Sequence, residues 1–215
     1  MTLPTQTTSS KHPWSTAQLA VATGLPDDVV ARVIERYNEP ERCYHNLGHI
    51  QRMFTLAWSC SFSPTRAQAL AILYHDAVYV PGASDGMNEK LSALLLRQHA
   101  HQHATEAQID EASRIIHDTI VHKPTGESSK LVLDLDLAGL GASLQSFLAD
   151  GEAVYQEVKH LVAGRHEYSQ RRAAFFKMLC SRPRLYQLAE FAPLEPLARA
   201  NMSKVIENPD LCSAG

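Results

Sequence analysis

Residues 42–53 read RCYHNLGHIQRM, and the two histidines in this stretch, His45 and His49, stand four apart. On a helix that spacing stacks both imidazoles on one face, where a single ligand or substrate can touch both. Such pairs also occur on plain polar faces or as satisfied core histidines. The second chemical element is His75 followed directly by Asp76, inside LAILYHDAVY, where Leu73, Tyr74 and Val78 imply buried surroundings. An imidazole and a carboxylate are costly there unless paired, hydrogen-bonded or bound to metal. A structural hydrogen bond between them is the plain alternative. An acid from LDLDLAGLG, Asp134 or Asp136, completes a set of two imidazoles and two carboxylates. That mixed nitrogen and oxygen set suits a divalent first-row ion, Mn, Fe, Co, Ni or Zn, with Mg a poorer fit. Such an ion lowers the pKa of its water from about 15.7 toward 7, which makes a nucleophile available at neutral pH.

Helices must deliver these residues, since from Trp14 onward the apolar positions recur every three to four residues. STAQLAVATG opens on Ser15 as N-cap and closes on Gly24, and PDDVVARVIERYNEP carries acids in its first turn and stops at Pro40. HNLGHIQRMFTLAWSC follows with Leu47, Ile50, Phe54 and Trp58 at helical spacing. SPTRAQALAILYHDAVY takes Ser63 and Pro64 as cap and first helical residue, and its nearly continuous apolar face predicts a buried helix. After the loop VPGASDGMN come EKLSALLLRQHAHQHA and TEAQIDEASRIIHDTIVH, the second opening at Thr105 with Ile109, Ala112, Ile116 and Ile120 on one stripe. SLQSFLADGEAVYQEVKHLVAGRHEYSQRRAAFFKMLCSRP reads as long helix, broken near Gly164 or continuous through it, that stops at Pro183. PLEPLARANMSKVIEN supplies the last helix.

KLVLDLDLAGLG departs from this pattern. Val132, Asp134, Asp136 and Ala138 alternate with Leu133, Leu135 and Leu137, the period of a half-buried strand. A lone strand among helices leaves its ladder groups unpaired, so a short helix starting near Asp134 is expected instead. A strand aims Asp134 and Asp136 the same way, whereas a helix sends them to nearly opposite faces, so only one can then serve the site.

The 215 residues are 45% hydrophobic and 20% charged, enough to bury a full core. No repeat or long linker divides the chain, and the expectation is one all-α unit over 14–207, with a flexible arm at 1–13 and a tail at 208–215. The net charge of -3 gives no basic field for a nucleic-acid backbone, so polymeric nucleic acid is not an expected partner. Cys43, Cys60, Cys180 and Cys212 form no C-x-x-C pair and read as free thiols of a reducing compartment. The first dozen residues lack the apolar core of a signal peptide, and no apolar run is long enough to span a bilayer. A soluble, cytoplasmic monomer or homodimer is expected, with no membrane partner. His99, His101 and His103 in QHAHQHA read as a polar helix end rather than a second metal site.

In chain order the sequence shows PERCYHNLGHI, YHDAVY, NEKLSA, DLDLAGLG and HEYSQRR. This ordered set, within roughly residues 27–207, resembles the H…HD…D signature of the HD-domain metal-dependent phosphohydrolase superfamily, and within it a bacterial branch of predicted HD phosphohydrolases. The resemblance implies a single HD-like helical bundle with a metal centre held by His49, His75 and Asp76. For the last ligand, the match to the A-D-x-L stretch of other HD families implies Asp136, leaving Asp134 as a helix cap or a support behind the ligands. YHNLGH is also similar to the Y-H-N-x-x-H of cyclic-nucleotide phosphodiesterases. That implies a proton donated by His45 to the leaving oxygen while His49 binds metal.

Around such a centre, Glu89 in NEKLSA is either an acid that orients a ligand histidine or the attacking water, or a helix-start residue favoured by the dipole. His122 is a candidate phosphate donor or extra ligand. Arg42 and Lys90, with Lys123 and Arg165, are candidate phosphate cations, Arg42 foremost because it immediately precedes the site. The expected function is a metal-dependent phosphohydrolase that cleaves a phosphoester of a small molecule such as a nucleotide. The alternatives are a di-iron HD-type oxygenase, with His117 or His122 as an added ligand, and a non-catalytic sensor that binds a nucleotide or a metal.

Overall fold

The structure, a computed structural model, describes residues 14–209 and 211, so the expected arm at 1–13 and most of the expected tail lie outside the described residues. Among the described residues the secondary structure is all helical, with no strand. The chain divides into two compact units between Leu135 and Asp136.

The first unit begins with α1 (Thr16–Thr23), closed at its start by a reciprocal capping box between Ser15 and Gln18 and at its end by Gly24, whose φ of 66° only glycine adopts readily. α2 (Asp27–Tyr37) sets Asp27 and Asp28 against its N-terminal dipole and ends at Tyr37, short of the expected stop at Pro40. α3 (Leu47–Ser59) starts at the N-cap Asn46 and buries Ile50, Met53, Phe54 and Ala57. Trp58, expected on that face, is 77% exposed. It lies about a quarter turn from the centre of the buried stripe, and Met53 and Ala57 fill the face instead.

α4 (Arg66–Tyr74) starts after Thr65, whose side chain forms a capping box with Gln68, so the expected cap at Ser63 and Pro64 is two residues early. Every residue from Ala67 to Tyr74 is buried, as the apolar girth predicts. α5 (Met87–Ala100) and α6 (Glu106–Thr119) follow, and α4 packs against α1, α3, α5 and α6. The segment KLVLDLDL, expected to be helical from near Asp134 despite its alternation, lies in α7 (Glu127–Leu137), which begins seven residues ahead of that start. The division between units falls inside α7, after Leu135.

In the second unit a 3-10 turn (Ala138–Gly141) leads into α8 (Leu144–Val158) and α9 (Arg165–Cys180). The long helix is therefore broken rather than continuous, at a Gly164 whose φ of 145° lies outside the helical range. α10 (Glu195–Glu207) packs on α9 and on the 3-10 turn, where buried Asn201 donates to the carbonyls of Leu140 and Ala142, each at 2.9 Å. Cys43, Cys60 and Cys180 are not in disulfides, and Cys212 lies outside the described residues. No single helix among the described residues is long and apolar enough to cross a membrane.

Candidate metal centre

Two short segments and one helix carry the chemistry. His49 is the third residue of α3, its N–H donating to the Asn46 side chain at the N-cap. Because the helix begins after Asn46, His45 precedes it, and the premise of two imidazoles on one helical face does not hold. Instead the two rings meet edge to face with centroids 6.5 Å apart. His45 stacks on Tyr79 at 4.3 Å and meets Tyr44 edge-on at 4.9 Å. His75 closes the C-terminus of α4, and Asp76 follows in the turn.

Both His49 and His75 are buried, and their Nε2 atoms approach to 3.3 Å. Asp76 Oδ2 lies 3.0 Å from His75 Nε2 and 4.0 Å from His49 Nε2. His49, His75 and Asp136 each offer a ligand atom, and these atoms all lie within 4.8 Å of one another. The two imidazoles are common to both carboxylates. Asp134, two residues earlier on α7, is fully buried and outside that group, as the helical geometry requires.

The protonation state of His75 follows from its other nitrogen. Nδ1 sits 3.0 Å from the carbonyl oxygen of Ile72, which can only accept, so Nδ1 carries a hydrogen. In the neutral ring Nε2 then presents a lone pair toward His49 Nε2 and the Asp76 carboxylate. Atoms that converge in a buried place need a hydrogen or a metal ion among them, here a hydrogen on His49 Nε2 or on His75 Nε2, or a bound ion. At metal–ligand distances of about 2.0–2.2 Å, adjacent ligands at right angles stand about 3 Å apart and opposed ones about 4.2 Å. The 3.3, 3.0 and 4.0 Å separations fit His75 adjacent to both His49 and Asp76, with the latter two spread wide. The hydrogen bond from Nδ1 to a backbone carbonyl is also the usual support behind a metal-binding histidine.

Burial opposes the ionisation of Asp76, whereas the charge of a protonated His75, then that of His45, a hydrogen bond from His75 and the charge of His49 hold its pKa well below the usual carboxylate range. Positive charge among the imidazoles thus favours the ionised carboxylate.

Arg42, expected as the foremost phosphate cation, is 7% exposed and committed to protein acceptors. Nη1 donates to the carbonyls of His45 (3.2 Å) and Asp76 (2.6 Å), Nη2 to that of Ala77 (3.1 Å) and Nε to Glu39 (3.0 Å). Arg165 is likewise paired, as a fork on Glu152 and over the ring of Tyr155. Lys90 and Lys123 are exposed. Glu89 is half-buried in the first turn of α5, where the helix dipole favours an acid. His122 stands just past α6 with a φ of 48°, its N–H donating to the Thr119 carbonyl, which makes it a turn residue in the backbone. His49, His75 and Asp136 thus offer ligand atoms within 4.8 Å of one another, Asp76 lies beside the two histidines and the His45 ring meets that of His49, while Glu89 and Lys90 stand in α5 and His122 just past α6.

His49, His75 and Asp136 form a group of three close metal-ligating side chains, and Asp76 stands beside its two histidines. His99 does not build a second, since its Nδ1 pairs with the buried Tyr74 hydroxyl at 3.0 Å. Buried Asp118 is satisfied internally by the N–H and hydroxyl of Thr125 and the hydroxyl of Ser129, and braces the loop after α6. Sequence reasoning missed Tyr79 beside the centre, although the signal was available in its place four residues after His75. No protein-family model, curated protein or solved structure matches this chain.

Proposed function

We propose that this protein is a metal-dependent phosphohydrolase that cleaves a phosphoester of a small molecule such as a nucleotide, with His49, His75, Asp76 and Asp136 holding a divalent transition-metal ion. The observation that carries this reading is the meeting of the His49 and His75 Nε2 atoms and the Asp76 carboxylate, with the His75 tautomer set by Ile72. The ordered motifs that resemble HD phosphohydrolases point the same way. When bound, such an ion supplies a Lewis acid for a phosphoryl oxygen and brings the pKa of water near neutrality. Two carboxylates balance its charge, and two imidazoles favour a first-row ion over Mg. His45, oriented by its stack on Tyr79, holds a proton for the leaving oxygen.

The test strips the protein with a chelator, reloads it with Mn or Co, and measures phosphate release across nucleoside mono-, di- and triphosphates and cyclic nucleotides. Ion-dependent turnover that disappears in Asp76→Ala is the expected result, and no turnover with any ion overturns the proposal. Two irons per chain with dioxygen-dependent chemistry would replace it by an oxygenase. Tight binding of a nucleotide that is recovered unchanged would replace it by a sensor.

A further inference from the structure

We propose that Arg42 and Tyr79 form an internal brace that fixes His45 against the His75–Asp76 turn, making Arg42 a positioning residue rather than a contact for substrate. The inference rests on the metal-centre reading above for its functional consequence, and on geometry alone for the brace itself.

The residues around the centre come from segments that helical hydrogen bonding does not hold. His45 precedes the N-cap of α3, and Asp76, Ala77 and Tyr79 follow the end of α4. Backbone groups at such places have no ladder partner and need one from a side chain. The Arg42 guanidinium supplies it to both segments at once, through the carbonyl of His45 on one side and those of Asp76 and Ala77 on the other. Its central carbon also stands 5.2 Å from the ring centre of Tyr37 and 5.7 Å from that of Tyr79. Tyr79 in turn stacks on the His45 imidazole at 4.3 Å. His45 is thus tied to the turn twice, by its own carbonyl and by its ring. A lysine cannot replace this arrangement, because an ammonium lacks the planar fork that reaches separate carbonyls and lies over aromatic faces.

The experiment compares wild type with Arg42→Met, Arg42→Lys and Tyr79→Leu, and uses Arg66→Met as a matched control. Arg66 also donates to backbone carbonyls in the first unit, those of Thr23, Gly24 and His103. Two quantities are read: the chemical shifts of the His45 ring in the metal-free protein, and the affinity for Co or Zn by calorimetric titration. Stacking on Tyr79 displaces the His45 ring protons upfield in wild type. Arg42→Met and Tyr79→Leu should abolish that displacement, and Arg42→Met should weaken ion binding by about 10- to 100-fold, the range for losing a group that orients ligands. Arg42→Lys should behave like Arg42→Met, and Arg66→Met should lower the melting temperature while leaving both quantities unchanged. Unchanged His45 shifts in Arg42→Met, or in Arg42→Lys should the former not fold, overturn the brace. An equal loss in Arg66→Met also overturns it, since the effect would then be general destabilisation. If wild type binds none of these ions, the metal-centre reading falls, while the ring shifts still decide the brace.

Discussion

Loading with a divalent ion should raise the melting temperature of this protein, and His75→Asn should remove the rise. The candidate ligands come from α3, the end of α4 and α7, distant in sequence, so the unfolded chain offers no assembled site. An ion that binds only the folded state stabilises it by RT ln(1 + [L]/Kd), about 2.7 kcal/mol at a hundredfold excess over Kd. At about 2–4 °C per kcal/mol for a chain of this size, the expected rise is about 5–11 °C. His75→Asn is the informative variant because the asparagine amide retains an N–H where Nδ1 donates to the Ile72 carbonyl, while the atom facing His49 and Asp76 is lost. The metal-free variant should melt only modestly lower, with a cost of about 1–2 kcal/mol for the altered core volume. Scanning calorimetry after chelator treatment, with Mn, Co, Ni, Zn and Mg added separately, gives the comparison. No rise with any ion in wild type, or an equal rise in His75→Asn, would refute the reasoning. The convergent atoms would then be joined by a proton.

His45→Ala should retain the ion-dependent rise in melting temperature and lose about 10²- to 10⁴-fold in the rate of phosphate release, the usual contribution of a positioned proton donor. Loss of the ion together with the rate would show that His45 is itself a ligand. Asp136→Asn should weaken ion binding in a calorimetric titration, whereas Asp134→Asn, at a fully buried position outside the ligand group, should lower stability and leave the affinity near that of wild type. The reverse outcome would exchange the two roles. Burial, joined by the charge of Asp76, raises the phenol of Tyr37 well above its usual pKa despite the opposing charge of Arg42. The folded chain therefore retains a proton there that the unfolded chain releases. The corresponding stability is present below about pH 10, the ordinary tyrosine value, and is lost as pH rises from there toward the folded value. Urea unfolding from pH 8 to 11 should show stability falling faster in wild type than in Tyr37→Phe. The variant should cost about 1 kcal/mol at neutral pH, through the lost hydrogen bond to the Leu73 carbonyl.

The metal-ligand candidates were legible because chemistry constrains residue type. A histidine and an aspartate side by side in LAILYHDAVY are expensive in a core without a partner, so their presence demanded one before any fold was known. The helices were legible where capping residues marked them, as at Ser15 and Thr105. They were less so where two caps competed, as Ser63 and Thr65 did ahead of α4. The strand-like alternation of KLVLDLDLAGLG was misleading because a helix buried on much of its surface carries leucines at nearly every other position, and α7 places Asp134 in that interior. The inward setting of Arg42 was not legible for a related reason. An arginine beside a candidate phosphate site has the same sequence signature whether its donors face solvent or backbone.

By itself the sequence determined the helical class and the residue types able to hold a cation, since periodicity, caps and the cost of buried charge are local properties of the chain. Only the tertiary structure decided which of these side chains meet. It set the His49 and His75 Nε2 atoms 3.3 Å apart, fixed the His75 tautomer through Ile72, and brought a ligand atom of Asp136 rather than Asp134 within 4.8 Å of theirs. It also removed His45 from the helix that was to carry it and turned Arg42 inward. Those outcomes depend on where helices begin and end and on how residues distant in sequence pack together, and no local rule of spacing contains that information.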